Sequence, residues 1–332
     1  MSLIFRTAQV ALVSVIVLVF VGAIVRSSGA GLGCPDWPTC WGLIIPPTNA
    51  DQIDVEKLDI PRFKRYAERH GIDPDTVTRE TVLAGFNPVH TWTEFVNRLT
   101  SLPLGFSTLL LAIFSFRAKR NRWWIVGLAW FALLDVLFNA WMGAMVVRSG
   151  LKPGIITLHM ALALLLICVL VTVVWLAREP GAKPIGKVPH LRWVTFLFFA
   201  CLFAEGIFGS QVREMTDQLA KAAGDMPRSE WIGALDSTTI YQVHRSFSWS
   251  LLLTAGAIFW LARKSAGGAA AWEPKMILGI VIAMMFMGII LAHIAIFPVV
   301  QVLHVGLTAI LLAVTWKWVL EVLFNSRNDR PI

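Results

Sequence analysis

The sequence predicts an all-α polytopic membrane protein: eight transmembrane helices arranged as two pseudo-symmetric parallel four-helix bundles, with both termini cytoplasmic. Three observations carry this. The 332 residues are 56% hydrophobic and only 15% charged, with a mean hydropathy of +0.66. Eight stretches each supply the roughly 20 mostly apolar residues that a spanning helix needs. A set of motifs in the first half recurs in the second. A soluble domain would be about a quarter charged, so this chain cannot cover a water-facing surface. The same composition excludes disorder, a collagen repeat and a small disulfide scaffold. The net charge of +8 is assigned to cytoplasmic loops rather than to a nucleic-acid partner.

The spans are expected at 8–25, 92–116, 123–147, 155–177, 193–212, 240–262, 275–297 and 299–321. The first lacks a small-residue cleavage site and runs directly into Arg26-Ser27-Ser28-Gly29, so it is read as a retained helix, not a signal peptide. Direction follows from the short loops. Arg117, Lys119, Arg120 and Arg122 lie between spans two and three; Arg178, Lys183, Lys187 and Arg192 lie between four and five; Arg263, Lys264 and Lys275 lie between six and seven. The opposite short loop carries only Arg148 and Lys152. Positive residues mark the cytoplasmic side, which implies a multi-pass protein of the inner (plasma) membrane. The first external loop, 26–91, is too long to count in this rule, and its stretch 51–80 reads as a solvated mixture of eight acidic and six basic residues. Fifteen Trp against two Tyr fit an aromatic belt at the span ends.

Cys34 and Cys40 fall in the external loop, within Gly33-Cys34-Pro35-Asp36-Trp37-Pro38-Thr39-Cys40. An oxidising compartment makes a short disulfide loop the leading reading; zinc is the alternative, for which two further ligands are not evident. Cys168 and Cys201 sit inside spans and read as packing residues.

The internal repeat is the most informative feature. Gly143, Pro153 and His159 recur as Gly288, Pro298 and His304, each at an offset of 145. Glu94-Phe95-Val96-Asn97-Arg98 aligns with Tyr241-Gln242-Val243-His244-Arg245, and Gly22-Ala23-Ile24-Val25-Arg26 with Gly209-Ser210-Gln211-Val212-Arg213. The halves are 1–178 and 193–322, joined by a cytoplasmic linker, 179–192. Four spans per half is an even number, so both halves enter the membrane the same way and form parallel bundles.

The repeat places the histidines. His244 and His304 lie near the external starts of two helices that run the same way, so their imidazoles stand at similar depth. Two such rings can clamp a haem iron from both faces. For a lone His in a span, a hydrogen bond to a neighbour would be the simpler reading; the matched pair favours haem. In the first half His159 is equivalent to His304, but Asn97 stands where the second half has His244. Glu94 lies three residues before Asn97 on the same helical face, where the second half has the uncharged Tyr241. An intramembrane carboxylate is a functional candidate; an ion pair with Arg98 or an external Arg is the competing reading. One half thus reads as a haem site for storage or electron transfer, the other as a reactive site. Arg26, Arg148 and Arg213 sit at external span ends as candidate propionate contacts, with snorkelling to the interface as the alternative. His293 aligns with Arg148 and shares that edge.

Residues 22–40, the segment Trp92-Thr93-Glu94-Phe95-Val96-Asn97-Arg98, and His159, His244 and His304 together resemble the haem A synthase family. The likeness runs over nearly all eight spans and departs at Asn97, where many members have His, and in the loop from about 46 to 90. The resemblance implies a haem b cofactor held through its iron by His244 and His304, and a haem O substrate site in the first half, with His159 on the substrate iron. It implies oxidation of one porphyrin methyl group to a formyl group by successive hydroxylations, with water as oxygen source. Glu94 would stabilise developing positive charge or handle protons. The implied partners are haem O, membrane lipid, a haem O synthase and a second copy of the chain. Two other classes remain open on residues alone: a di-haem electron-transfer protein linked to quinone, and a haem carrier or assembly factor without chemistry.

Overall fold

Long apolar segments with no polar face have one stable form in hydrocarbon, a helix whose backbone groups satisfy one another. The structure, a computed structural model, describes residues 3–69, 73–119, 121–152, 154–178, 188–224, 226–264 and 271–324. Among these residues there are helices and turns but no strand, apart from a single bridge between Cys40 and Leu43. In chain order the helices are α1 (Leu3–Ser27), α2 (Ile60–Arg69), α3 (Arg79–Ala84), α4 (Pro88–Ser115), α5 (Arg122–Arg148), α6 (Ile155–Ala177), α7 (Leu191–Ala223), α8 (Arg228–Asp236), α9 (Thr239–Arg263), α10 (Glu273–His293) and α11 (Pro298–Phe324). Pro153, His70, Arg120 and the linker residues 179–187 lie outside the described residues.

Among the described residues, seven helices are long and apolar enough to cross a membrane: α1, α4, α5, α6, α7, α10 and α11. The expected span at 240–262 is helical as α9 but is not among the seven. Its 25 residues suffice for length, while Thr239, Gln242, His244, Arg245, Ser246 and Ser248 make its first turns polar. Helix α7 also continues beyond its expected end at 212 to Ala223, and α8 was not expected. Both differences arise where charged residues enter a helix without an apolar period to announce it.

Helices α6 and α11 form the centre. Leu164, Leu166, Ile167, Leu170 and Val173 on one side, and Ala309, Leu311, Leu312 and Trp318 on the other, are buried in one core. Trp316 Nε1 donates to Thr172 Oγ1 at 2.8 Å, tying α11 to α6. Around them α1 packs on α4 and α6, α4 on α5, and α5 on α6; α7 packs on α9 and α11, α9 on α10, and α10 on α11. Contacts of α1 with α11 and of α6 with α7 join the two sets. Ion pairs Arg178–Glu321 and Lys317–Glu273 bridge helices at the end away from the Cys loop.

The long loop is folded rather than merely solvated. Cys34, Cys40, Trp41 and Ile53 form a small second core, closed by Leu58, Val82, Leu83, Phe86 and Phe95. Phe95 belongs to α4, so this core seats the loop on the helix that carries Glu94 and Asn97. Helix α4 starts cleanly because Asn87 caps it, its side chain accepting from the amides of Val89 and His90, with Pro88 at the first turn.

Candidate functional site

One cavity of about 1320 Å³ opens between the two sets of helices. This exceeds the roughly 300–1,000 Å³ of an ordinary single-ligand pocket. Its lining includes His159, His244, His304, Asn97 and Glu94, contributed by α6, α9, α11 and α4. The sequence-selected histidines of both halves therefore meet in one space.

Each ring is seated on a glycine of the neighbouring helix. A side chain at Gly143 would meet His159 Cε1 at 3.7 Å, one at Gly288 would meet His304 Cε1 at 3.9 Å, and one at Gly209 would meet His244 Cε1 at 3.3 Å. The first two seats are the offset-145 repeat made visible: a glycine on α5 or α10 leaves room for the Cε1 edge of the imidazole of α6 or α11. At Gly22, the counterpart of Gly209, nothing lies within 4 Å. The shorter Asn97 leaves that seat open. Nδ1 of His159 and Nδ1 of His304 are both buried without a hydrogen-bond partner.

The rings of His244 and His304 face each other with centroids 6.5 Å apart and planes at 81°. An iron held by two imidazoles at about 2.0–2.1 Å from each nitrogen would put the ring centres roughly 6.4 Å apart. The spacing of the two rings therefore matches that of a six-coordinate haem iron. Among the described residues no group of three or more His, Cys, Asp or Glu gathers as a metal cluster, and a haem needs only two protein ligands.

On the first-half side Glu94 is buried, and both its oxygens are engaged. Oε1 accepts from Arg98 Nη2 at 2.6 Å and Oε2 from the Cys34 amide at 2.9 Å. Arg98 also donates to the carbonyls of Thr39 at 2.8 Å, Asp36 at 3.0 Å and Cys34 at 3.3 Å. The ion pair set against a functional role in the sequence is thus present, and it fastens the Cys loop to α4. Cys34 and Cys40 form a disulfide with Cα atoms 4.7 Å apart, while Cys168 and Cys201 are free. Inside the loop Asp36 accepts from the amides of Trp41 at 2.6 Å and Gly42 at 2.8 Å and from the Thr39 hydroxyl. Trp41 Nε1 and Thr91 Oγ1 both donate to Gly33 O at 2.8 Å.

Gly33 lies so close to α4 that a Cβ there would stand 2.3 Å from the His90 carbonyl oxygen. Because the obstacle is backbone, it cannot swing aside. Gly33→Ala is expected to lower stability by about 1–3 kcal/mol through overpacking, read as a fall in the Tm of the detergent-solubilised protein; an unchanged Tm would mean that the loop is free to shift.

The arginines divide. Arg26 and Arg213 line the cavity and grip one carboxylate, Arg26 Nε at 3.1 Å from Asp217 Oδ2 and Arg213 Nη2 at 2.9 Å from Oδ1. A second carboxylate, that of the buried Glu214, also stands near Arg26. Arg148 is exposed and does not line it. Arg98, Arg228 and Arg245 do, as does His293. Reading the sequence missed Asp217, Glu205, Arg228 and Arg245. Asp217 sits on the polar extension of α7 beyond its expected end at 212, whereas Glu205 lies inside the expected span 193–212, opposite Leu18 of the first half, and was open to the same reading as Glu94. Arg245 was visible through its repeat partner Arg98.

A family model described as COX15-CtaA, Cytochrome oxidase assembly protein, matches residues 6–316. The chain is 29% identical to the Heme A synthase of Sphingopyxis alaskensis, across 91% of this chain and 86% of that protein. It is 28% identical to the Heme A synthase of Methylorubrum populi, across 84% and 76%, and 24% identical to that of Halalkalibacterium halodurans, across 76% and 74%. The family match covers His159, His244 and His304, the Cys loop and the helices that carry them, so the chain belongs to the COX15-CtaA family of cytochrome oxidase assembly proteins.

Proposed function

We propose that this chain is a haem A synthase, an oxidoreductase of the inner membrane that converts a methyl group of haem O to a formyl group, giving haem A. The observation that carries the reading is the unequal repeat within one cavity: His244 facing His304 at 6.5 Å, against His159, Asn97 and Glu94 on the other side. Two equivalent clamps would suit an electron relay. One clamp beside a carboxylate-bearing, singly ligated site suits a cofactor next to a substrate. The name shared by the curated relatives supports the same activity.

In this reading the helices make eight spans in two four-helix halves, 1–178 and 193–322, related by an axis along the membrane normal. The contact pattern supports it: α1, α4, α5 and α6 pack on one another as α7, α9, α10 and α11 do. Helix α9 is the eighth span, its polar turns facing the cavity instead of lipid. The Cys34–Cys40 loop lies on the external side, over the mouth of the first half.

His244 and His304 hold haem b, which supplies one-electron redox chemistry when bound. His159 binds the iron of haem O from one face, while Asn97 is too short to complete a second clamp. Arg26 and Arg213, which line the cavity, receive propionate groups. Glu94 stabilises positive charge developing at the methyl carbon or carries its protons, and Arg98 holds the carboxylate in place. The Cys loop, docked through Gly33 and Trp41, closes the site from water.

Co-expression with a haem O source, followed by haem extraction and chromatography, tests the reading. Haem b plus haem O or haem A in the purified protein, with a raised haem A yield in the membranes, is expected. Haem b alone, with no haem A formed, would favour an electron-transfer protein; unaltered haem O leaving and entering would favour a carrier.

A further inference from the structure

We propose that Glu205 is a positioning residue for His244, its carboxylate receiving the Nδ1 proton of that ring, and that it thereby lowers the reduction potential of haem b. The inference rests on the reading of His244 as an axial ligand.

Glu205 is a buried residue of α7, and its Oε1 stands 3.0 Å from His244 Nδ1. The contact is within ion-pair reach but not yet directed as a hydrogen bond, since Nδ1 and the second oxygen, Oε2, are both buried without a hydrogen-bond partner. Glu205 lies one helical turn before Gly209, the residue on which Cε1 of the same ring rests. One stretch of α7 therefore supplies both the steric seat and the electrostatic partner of His244. Ser248, one turn after His244 on α9, fixes the carboxylate from the other side, with Oγ at 2.6 Å from Oε1 and 2.5 Å from the His244 carbonyl oxygen.

The repeat indicates that this is a device and not a general feature of the fold. Aligning Arg26 with Arg213 puts Leu18 at the position of Glu205. In the first half the ring is replaced by Asn97 and the carboxylate by Leu18, so the two are present or absent together. Among the described ion pairs only His244 has a carboxylate at its Nδ1, while the Nδ1 atoms of His159 and His304 are buried without a hydrogen-bond partner. A buried carboxylate is costly unless paired, and among the contacts Glu205 makes, the imidazole is the one that can supply the missing donor. A metal-bound His that gives its other N–H to a carboxylate is locked in one tautomer and becomes a stronger donor to the metal. The added negative charge stabilises the ferric state over the ferrous state, and burial keeps it from being screened.

The test is an optical redox titration of haem b in the full-length, detergent-solubilised holoprotein, with electron paramagnetic resonance of the oxidised form. Glu205→Gln keeps the size of the side chain and both axial ligands, so the low-spin haem is expected to remain. The ratio of ferrous to ferric haem at a fixed ambient potential should rise about tenfold, a positive shift of about 59 mV for a one-electron couple. The g values should move as well, and Ser248→Ala should shift the potential the same way by less. A merely structural Glu205 would lower the yield of protein but leave the potential of the remaining haem unaltered. An unchanged potential in Glu205→Gln overturns the proposal; should that variant not accumulate, unchanged potentials in both Glu205→Asp and Ser248→Ala overturn it equally. If the parent protein shows no low-spin haem b at all, the proposed function fails first and this inference with it. With the parent signal intact, only the role of Glu205 is at stake.

Discussion

His244→Ala and His304→Ala each abolish the low-spin haem b spectrum. Both rings point into the same gap, 6.5 Å between centroids, and removing either leaves an iron with one protein ligand and an empty face. Each ring rests against a glycine, Gly209 or Gly288, and truncating either histidine leaves that seat empty. Affinity for haem b should fall at least 10–100-fold, the range typical even for indirect damage to a metal site. His159→Ala should leave that spectrum intact and reduce only the haem O or haem A recovered. Asn97→His supplies the converse: the open space at Gly22 admits a ring, so a second low-spin component should appear. Retention of the full haem b spectrum in both His244→Ala and His304→Ala would overturn the ligand assignment.

What could be read from the sequence, and what could not, follows from the range of the interactions involved. Apolar length in lipid determines helix existence almost by itself, so segments such as 155–177 matched α6 (Ile155–Ala177) residue for residue. The repeat located His159 and His304 because a glycine seat and its ring are separated by a fixed number of residues, 143 to 159 and 288 to 304. Polarity defeated the same logic at α9, where cavity-facing residues lower the hydropathy of a helix that still packs with α7 and α10. The fold of the long loop was not legible either. Its order comes from contacts over long separations, Cys34 to Glu94 and Thr39 to Arg98, and no local pattern reports them. Asp217, beyond the expected end of its span, was overlooked for a related reason, whereas Glu205, a carboxylate inside the expected span 193–212, was legible by the rule applied to Glu94. A carboxylate placed like Asp217 acquires meaning only when the arginines it faces are known.

Glu94→Gln abolishes haem A formation while haem b stays bound. The structure sharpens the test, since Glu94 has two duties. Its oxygens hold Arg98 at 2.6 Å and the Cys34 amide at 2.9 Å, so it pins the Cys loop as well as presenting charge to the cavity. Gln offers one acceptor where the carboxylate offers two, and leaving one buried donor unsatisfied costs about 1–3 kcal/mol. The loop survives that, because Arg98 keeps three backbone acceptors in it and the Cys34–Cys40 disulfide remains. What Gln cannot supply is negative charge beside the methyl carbon. Removing one preorganised electrostatic group typically lowers a rate by about 100–1,000-fold, which would leave haem O or a partly oxidised haem accumulating. Thr91→Val serves as the control, for it loosens the loop by removing the hydroxyl between Trp41 Nε1 and Gly33 O without touching the carboxylate. Chromatography of extracted haem separates the outcomes. Loss of haem A in Glu94→Gln with near-normal yield in Thr91→Val assigns the carboxylate to the chemistry. Equal loss in both reduces Glu94 to a fastener of the loop, and normal haem A from Glu94→Gln removes it from the mechanism altogether.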